Sequence, residues 1–288
     1  MPTTIVQGFA ALRQNLEITP LQEATVSTRQ RNVREAVERE FTVLESFLTG
    51  SYKRSTMITP LRQADVDIIV ILAAKYYAQY TPASLLDRVR TVIKRTYPET
   101  PEISRNGQAV TIRFTDFRVD VVPGFYRQGG GYIIPNSNTG TWISTDPKEH
   151  VRLWTEANVA HNNDLVPLIK MLKRWNRSHS SLLRSFHLEA ITRQVLTNIK
   201  ITDFPSGLRY VLDKAQTTLQ LPFPDPAGYG GNLGSYLDTT EKVNDVLNRL
   251  QTNCQRARDA ESYAASGRNE LAYQKWGVVF GDSFPAYR

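Results

Sequence analysis

Residues 50–72 read GSYKRSTMITPLRQADVDIIVIL, a Gly-Ser turn followed by a short apolar run that opens with two aspartates one residue apart. Residues 68–72 are few and rich in branched side chains, which predicts a buried strand. Side chains alternate across a strand, so Asp65 and Asp67 share one face while Val66 takes the other. Two carboxylates side by side repel, and a hard cation between them relieves the repulsion. Mg²⁺ is commonly held by one or two carboxylates together with substrate phosphates. Gly50 lets the backbone approach a phosphate closely, and Ser51 offers it a hydroxyl and an N–H. The stretch predicts a site for a metal and phosphates at the start of a strand.

Upstream, residues 28–48 carry Val33, Val37, Phe41, Leu44 and Leu48 on one stripe, which predicts a long amphipathic helix ended by Gly50 in a left-handed cap. Downstream, Thr81-Pro82 reads as the N-cap and first turn of a helix to about Arg95 that buries Leu85, Leu86, Val89, Val92 and Ile93. Residues 109–114 and 117–122 predict an antiparallel hairpin around a break at Thr115-Asp116, ending at Pro123. On its second arm Arg118 and Asp120 share a face, and Phe117, Val119 and Val121 share the other. An aspartate inside a strand as apolar as RVDVVP needs a partner, either a salt bridge or a metal. If the two aspartate-bearing strands are sheet neighbours, Asp65, Asp67 and Asp120 face one cleft. Three carboxylates suffice for two Mg²⁺ ions, one on a triphosphate and one lowering the pKa of an attacking hydroxyl. One carboxylate is then free to take the proton of that hydroxyl.

Residues 128–138 (QGGGYIIPNSN) read as a glycine-rich link and a short strand or loop. They lack a Gly-Lys-Ser/Thr ending and are no P-loop. From Asp146 the chain turns helical, with Asp146-Pro147 and Glu149 as a capped start. Further helices are predicted at 164–179, 185–199, 206–219, 239–265 and 267–279, with a loop dense in Pro and Gly at 221–234. Strands concentrate in the first half and helices in the second. This predicts an α+β fold of two lobes: a mixed β-sheet core over 1–145, and a C-terminal helical bundle over 146–288 that completes a nucleotide-binding cleft.

The bulk composition agrees with such a fold. The 288 residues allow an ample core, and 41% hydrophobic with 22% charged residues is ordinary for a globular chain. Lys and Arg outnumber Asp and Glu 35 to 28, giving +7, which favours phosphate-bearing partners. The basic residues are scattered, with no run like a nucleic-acid tail. The single cysteine, Cys254, excludes an intramolecular disulfide and a multi-cysteine zinc site. The first residues carry no signal-peptide pattern, and no apolar run approaches a membrane span, so a cytoplasmic protein with no membrane partner is expected. His150, His161, His179 and His187 show no metal spacing. Trp142, Trp154, Trp175 and Trp276 read as core anchors.

Gly50-Ser51, Thr56, Asp65-Val66-Asp67 and the later Val119-Asp120-Val121-Val122-Pro123 resemble the Pol-β-type nucleotidyltransferase signature. More narrowly, the chain resembles the bacterial cGAS/DncV-like nucleotidyltransferases (CD-NTases) of antiphage signalling. The likeness continues through residues 168–175 (LIKMLKRW), 185–189 (SFHLE), the Asp225-Pro226 loop and residues 276–285 (WGVVFGDSFP), in order and spacing. Ser55 departs from it, standing where many members carry glycine.

The resemblance implies a two-lobed Pol-β-like fold with Asp65, Asp67 and Asp120 as catalytic residues and metal ligands, for two Mg²⁺ ions that Mn²⁺ replaces. It implies triphosphate contacts from Gly50, Ser51, Lys173 and Ser185, a base-side loop at Asp225, and base selection by Asn158 or Asn162. The implied reaction joins NTPs into a cyclic di- or trinucleotide with release of pyrophosphate, as in CBASS-type antiphage signalling. A separate effector protein would read that product. A monomer is expected, and no activation by DNA, since the zinc-ribbon insertion of animal cGAS is absent. Two other readings of the same residues are nucleotidyl transfer to a protein, tRNA or small molecule, and a non-catalytic nucleic-acid-binding protein.

Overall fold

The computed structural model describes residues 3–100 and 102–287. Chain order is α1 (Ile5–Asn15), α2 (Pro20–Glu38), β1 (Val43–Thr49), α3 (Gly50–Lys53), β2 (Asp65–Leu72), α4 (Lys75–Gln79), α5 (Pro82–Thr96), β3 (Ile103–Asn106), β4 (Ala109–Arg113), β5 (Arg118–Tyr126), β6 (Tyr132–Asn136) and β7 (Thr141–Thr145), followed by α6 (Pro147–Ala160), α7 (Leu165–Ser178), α8 (Ser185–Val195), α9 (Phe204–Thr218), α10 (Thr240–Ala265) and α11 (Asn269–Phe280). Two compact units result. The sheet unit spans Ile18–Leu153 and Ala227–Gly230; the helical unit takes the described residues up to Glu17, Trp154–Pro226 and those from Gly231 on.

In the sheet unit the strands run in the order β1-β2-β5-β4-β3, with β6 on β5 and β7 on β6. β2 and β5 pair parallel, while the other pairs are antiparallel, so the sheet is mixed. Alternation along β2 decides what each face carries. Val66, Ile68 and Val70 pack with Val33 and Val37 of α2 and with Leu85, Leu86 and Val89 of α5. Ile69 and Ile71 go to the opposite face with Phe47, Val122 and Tyr132. Each fully buried branched side chain contributes on the order of 1.5–3 kcal/mol, and this two-sided burial fixes the register that places Asp65 and Asp67. A slip of one residue would exchange the aspartates for Val66 and Ile68.

The antiparallel hairpin expected over residues 109–122 forms, with Val110 opposite Val121 and Arg113 opposite Arg118, but its second arm does not end at Pro123: β5 runs on to Tyr126, and Pro123 sits opposite Val70 inside the parallel ladder. The Thr81 capping box and Pro82 open α5, and Glu149 N–H donates to Asp146 Oδ1 at 3.0 Å to start α6.

The long helix expected at 28–48 is corrected. α2 stops at Glu38, and residues 43–49 are an edge strand antiparallel to β2, with Phe47 opposite Ile69 and Leu48 opposite Ile68. The apolar stripe through Leu48 fits either period locally, and only the pairing offered by β2 decides for a strand. Gly50 therefore follows a strand, not a helix. Helix α1 and the start of α2 were not anticipated, although Thr4/Gln7 and Thr19/Gln22 form capping boxes. Residues 132–136 and 141–145 form the β6–β7 hairpin.

The helical unit is built on α7, which buries Leu168, Ile169, Met171, Leu172 and Trp175. Phe9 of α1 meets Trp276 edge-on at 4.9 Å, and Phe280 stacks on Phe284. Trp154, Trp175 and Trp276 are buried anchors. Among the described residues, no helix is long and apolar enough to cross a membrane.

Candidate active site

Asp67 sits at the meeting point of three strands. Thr49 of β1 is its partner on one side and Asp120 of β5 on the other. Asp65 lies two residues back on the same face, opposite Arg118. Neighbouring strands are about 4.8 Å apart, so Asp67 and Asp120 stand side by side.

The Gly50-Ser51 turn packs directly against Asp67. Gly50 is in the left-handed region (φ 64°), and a Cβ built on it would lie 1.7 Å from Asp67 Oδ2. Only glycine fits, on sterics and on backbone conformation alike. The Ser51 carbonyl accepts the Thr56 and Met57 N–H groups at 2.9 and 3.1 Å and the Thr56 hydroxyl at 3.4 Å. Thr56 is fully buried, so its part is to hold the turn shut. Ser55 follows at φ 58°, left-handed like a glycine, which explains why the family resemblance places glycine there.

Asp120 is largely enclosed. Burial raises its pKa first of all, the Thr111 hydroxyl donating at 2.6 Å opposes this, Asp65 nearby raises it further, and Arg118 lowers it. Asp65 Oδ1 lies 2.5 Å from Arg118 Nε, an ion pair by distance. The angle is wrong for a hydrogen bond, however, and both atoms are buried without a hydrogen-bond partner.

Among the described residues no three His, Cys, Asp or Glu side chains converge closely enough to hold a metal ion as they stand, and Asp65 is paired with Arg118. The donor set nonetheless fits a hard divalent cation. It offers three carboxylates on one sheet face, one with an oxygen that has no hydrogen-bond partner, and a like-charge repulsion that raises Asp120.

Lys173, Ser185 and Asp225 belong to the helical unit. Lys173 of α7 is 4% exposed and Glu189 of α8 fully buried, and they pair at 3.0 Å. Ser185 is the first residue of α8, whose preceding Arg184 N–H donates to the Tyr236 hydroxyl at 3.0 Å. That hydroxyl is also 3.1 Å from His187 Nδ1, and burial pushes the His187 imidazole down to about 4. Asp225 is buried in a loop pinned by Asn232, whose Oδ1 accepts the Phe223 and Gly234 N–H groups at 2.9 Å each. Asn158 spends its Oδ1 on the Val166 N–H at 2.9 Å, a helix-capping job.

Thr111, Glu189 and Tyr236 were assigned no role from sequence. Thr111 had a signal: a hairpin centred on Thr115-Asp116 puts residue 111 opposite residue 120, as observed. Glu189 and Tyr236 had none, because their partners are 16 and 49 residues away.

The profile of the Second Messenger Oligonucleotide or Dinucleotide Synthetase domain matches residues 3–158, over half of the chain. A cyclic AMP-AMP-AMP synthase of an Acinetobacter species is 26% identical, covering 98% of this chain and 86% of its own. A CBASS oligonucleotide cyclase, CdnC, of Escherichia coli is 26% identical over 85% of this chain and 84% of its own. The crystal structure of the Vibrio cholerae DncV cyclic AMP-GMP synthase shares the fold, with a TM-score of 0.81 at 13% identity, over 99% of this chain and 98% of that one. With two strand aspartates one residue apart, a glycine turn packed on the second, a third aspartate from the neighbouring strand and this match along the sequence, the chain belongs to the Second Messenger Oligonucleotide or Dinucleotide Synthetase family of bacterial cGAS/DncV-like nucleotidyltransferases, enzymes that make cyclic oligonucleotides.

Proposed function

We propose that Asp65, Asp67 and Asp120 are the catalytic carboxylates and hold two Mg²⁺ ions, which Mn²⁺ replaces, during cyclic oligonucleotide synthesis. The observation that carries this reading is the pairing of Asp67 with Asp120, with Gly50 packed so tightly on Asp67 that a Cβ would lie 1.7 Å from its carboxylate. When bound, the metal ions would neutralise triphosphate charge and lower the pKa of the attacking hydroxyl. The chain's own part is orientation. Thr111 fixes the Asp120 carboxylate, and that carboxylate takes the proton of the attacking 2′- or 3′-hydroxyl.

The hydroxyl oxygen forms a bond to the α-phosphorus of an NTP, the bond to the β-phosphate oxygen breaks, and pyrophosphate leaves. The same step on the new 5′-triphosphate closes a cyclic di- or trinucleotide. Gly50 admits the phosphates to the backbone and Ser51 donates to them. Lys173 and Ser185 are assigned to the triphosphate and Asp225 to the base side, in keeping with the family motif. We read the product as a messenger for a separate effector in CBASS-type defence, made by a cytoplasmic monomer that needs no DNA.

The test is incubation with all four NTPs and Mg²⁺ or Mn²⁺, phosphatase treatment, and mass spectrometry of what survives. A resistant cyclic species that disappears with Asp67→Asn is the expected result. Pyrophosphate release by a folded Asp67→Asn variant at the wild-type rate would overturn the assignment. Label retained on protein or tRNA would instead point to transfer to an acceptor.

A further inference from the structure

Arg118 has no part in the transfer scheme, yet it stands among the carboxylates that the scheme uses. Its Cα is paired with that of Asp65 across the parallel β2–β5 ladder, and alternation keeps its side chain on the face of Asp120. We propose that Arg118 is a built-in counter-ion, which occupies Asp65 until a divalent cation displaces it and thereby sets the metal affinity of the site. This rests on the assignment of the three aspartates as metal ligands.

Three observations support a displaceable contact over a permanent one. An Arg–carboxylate pair that holds a structure together is hydrogen-bonded and frequently bidentate. Here Nε and Oδ1 are 2.5 Å apart and neither atom makes a hydrogen bond. The two side chains are 36% and 43% exposed, so both have room to part. Lastly, the charge is fixed: a guanidinium does not deprotonate in proteins, so it leaves Asp65 by moving and not by titrating.

The physical consequence is competition. One positive charge lies where two or three negative charges need neutralising, which favours a doubly charged ion by Coulomb's law but makes that ion displace the arginine first. Metal alone therefore binds more weakly than the bare carboxylates would allow, and the site fills best with a cation that arrives on a triphosphate. Arg118 is a positioning residue in this scheme, acting through Asp65.

The experiment is a Mn²⁺ titration of the nucleotide-free protein followed by electron paramagnetic resonance, on wild type, R118M and R118K. R118M is expected to bind Mn²⁺ roughly five-fold more tightly than wild type, the factor that an exposed ion pair of about 1 kcal/mol supplies. R118K should stay close to wild type. Mn²⁺ should also raise the melting temperature of R118M more than that of wild type, since the variant leaves its carboxylates unneutralised. A merely structural arginine would give the opposite sign, weaker metal binding on its removal. If R118M does not fold, R118Q carries the same comparison. Equal or weaker Mn²⁺ binding by the folded variant, while wild type binds and Asp67→Asn does not, overturns the role of Arg118 alone. Absence of Mn²⁺ binding to wild type with and without NTP overturns the metal assignment, and this proposal with it.

Discussion

Gly50 and Asp67 exclude one another's growth: a Cβ on residue 50 would sit 1.7 Å from the Asp67 Oδ2 atom. Gly50→Ala must therefore push the Asp67 carboxylate aside or open the turn, and it forces alanine into φ 64°. Displacing a catalytic group by about 1 Å costs on the order of 100-fold in rate. Pyrophosphate release by Gly50→Ala should fall at least that far while far-UV circular dichroism stays native. Near-wild-type turnover would mean that Asp67 is not where the chemistry occurs.

Thr111→Val removes the hydroxyl that donates to Asp120 Oδ1 at 2.6 Å. Hydrogen-bond partners of metal-binding groups are worth about 10- to 100-fold in activity or metal affinity. We expect a loss in that range for Thr111→Val and recovery in Thr111→Ser, read from kcat at saturating NTP and Mg²⁺.

Ser55 stands at φ 58° with an exposed side chain. Glycine relieves the left-handed strain at some entropic cost in the unfolded chain, for a net gain of up to about 1 kcal/mol. A β-branched residue there should cost about 1–2 kcal/mol. Urea melts of Ser55→Gly and Ser55→Val should move in opposite directions, and a shared direction would contradict the backbone argument.

Lys173 and Glu189 form an ion pair that is 4% and 0% exposed. Removing one partner strands a buried charge, at about 3–5 kcal/mol. Lys173→Met should lose stability on that scale, and the pair Lys173→Met with Glu189→Leu should regain most of it. A phosphate-binding role for Lys173 is then tested in the double variant, where a rise in KM for NTP is no longer confounded by misfolding.

His187 gives a pH signature. Burial depresses its pKa from 6.5 to about 4 in the folded chain, while the unfolded chain takes up the proton near the ordinary value. The unfolded state thus binds more protons across that interval. Stability is full above about pH 6.5, declines as pH falls towards 4, and levels off below, a total of up to about 3 kcal/mol. Urea midpoints at pH 7 and 4.5 should differ less in His187→Gln than in wild type. An equal difference would assign the acid sensitivity elsewhere.

By itself, the sequence determined the parts of the site that follow from local periodicity. Asp65 and Asp67 share a face because a strand has a period of two, and Asp120 is legible as a strand residue because RVDVVP lies in a hairpin whose centre is visible at Thr115-Asp116, while its place beside Asp67 comes from the parallel β2–β5 pairing. Even Thr111 could be counted from that centre. The helix starts at Thr81 and Asp146 were equally legible, since a cap is made within four residues.

Tertiary structure decided what depends on partners distant along the chain. Residues 43–49 became a strand only because β2 offers an edge to pair with, where a helical stripe fits the same apolar residues. Arg118 meets Asp65 across 53 positions of sequence through the parallel ladder, and Glu189 neutralises Lys173 between two helices. In each of these cases the sequence supplies a residue able to do either of two things, and burial against a distant segment makes one of them lower in free energy.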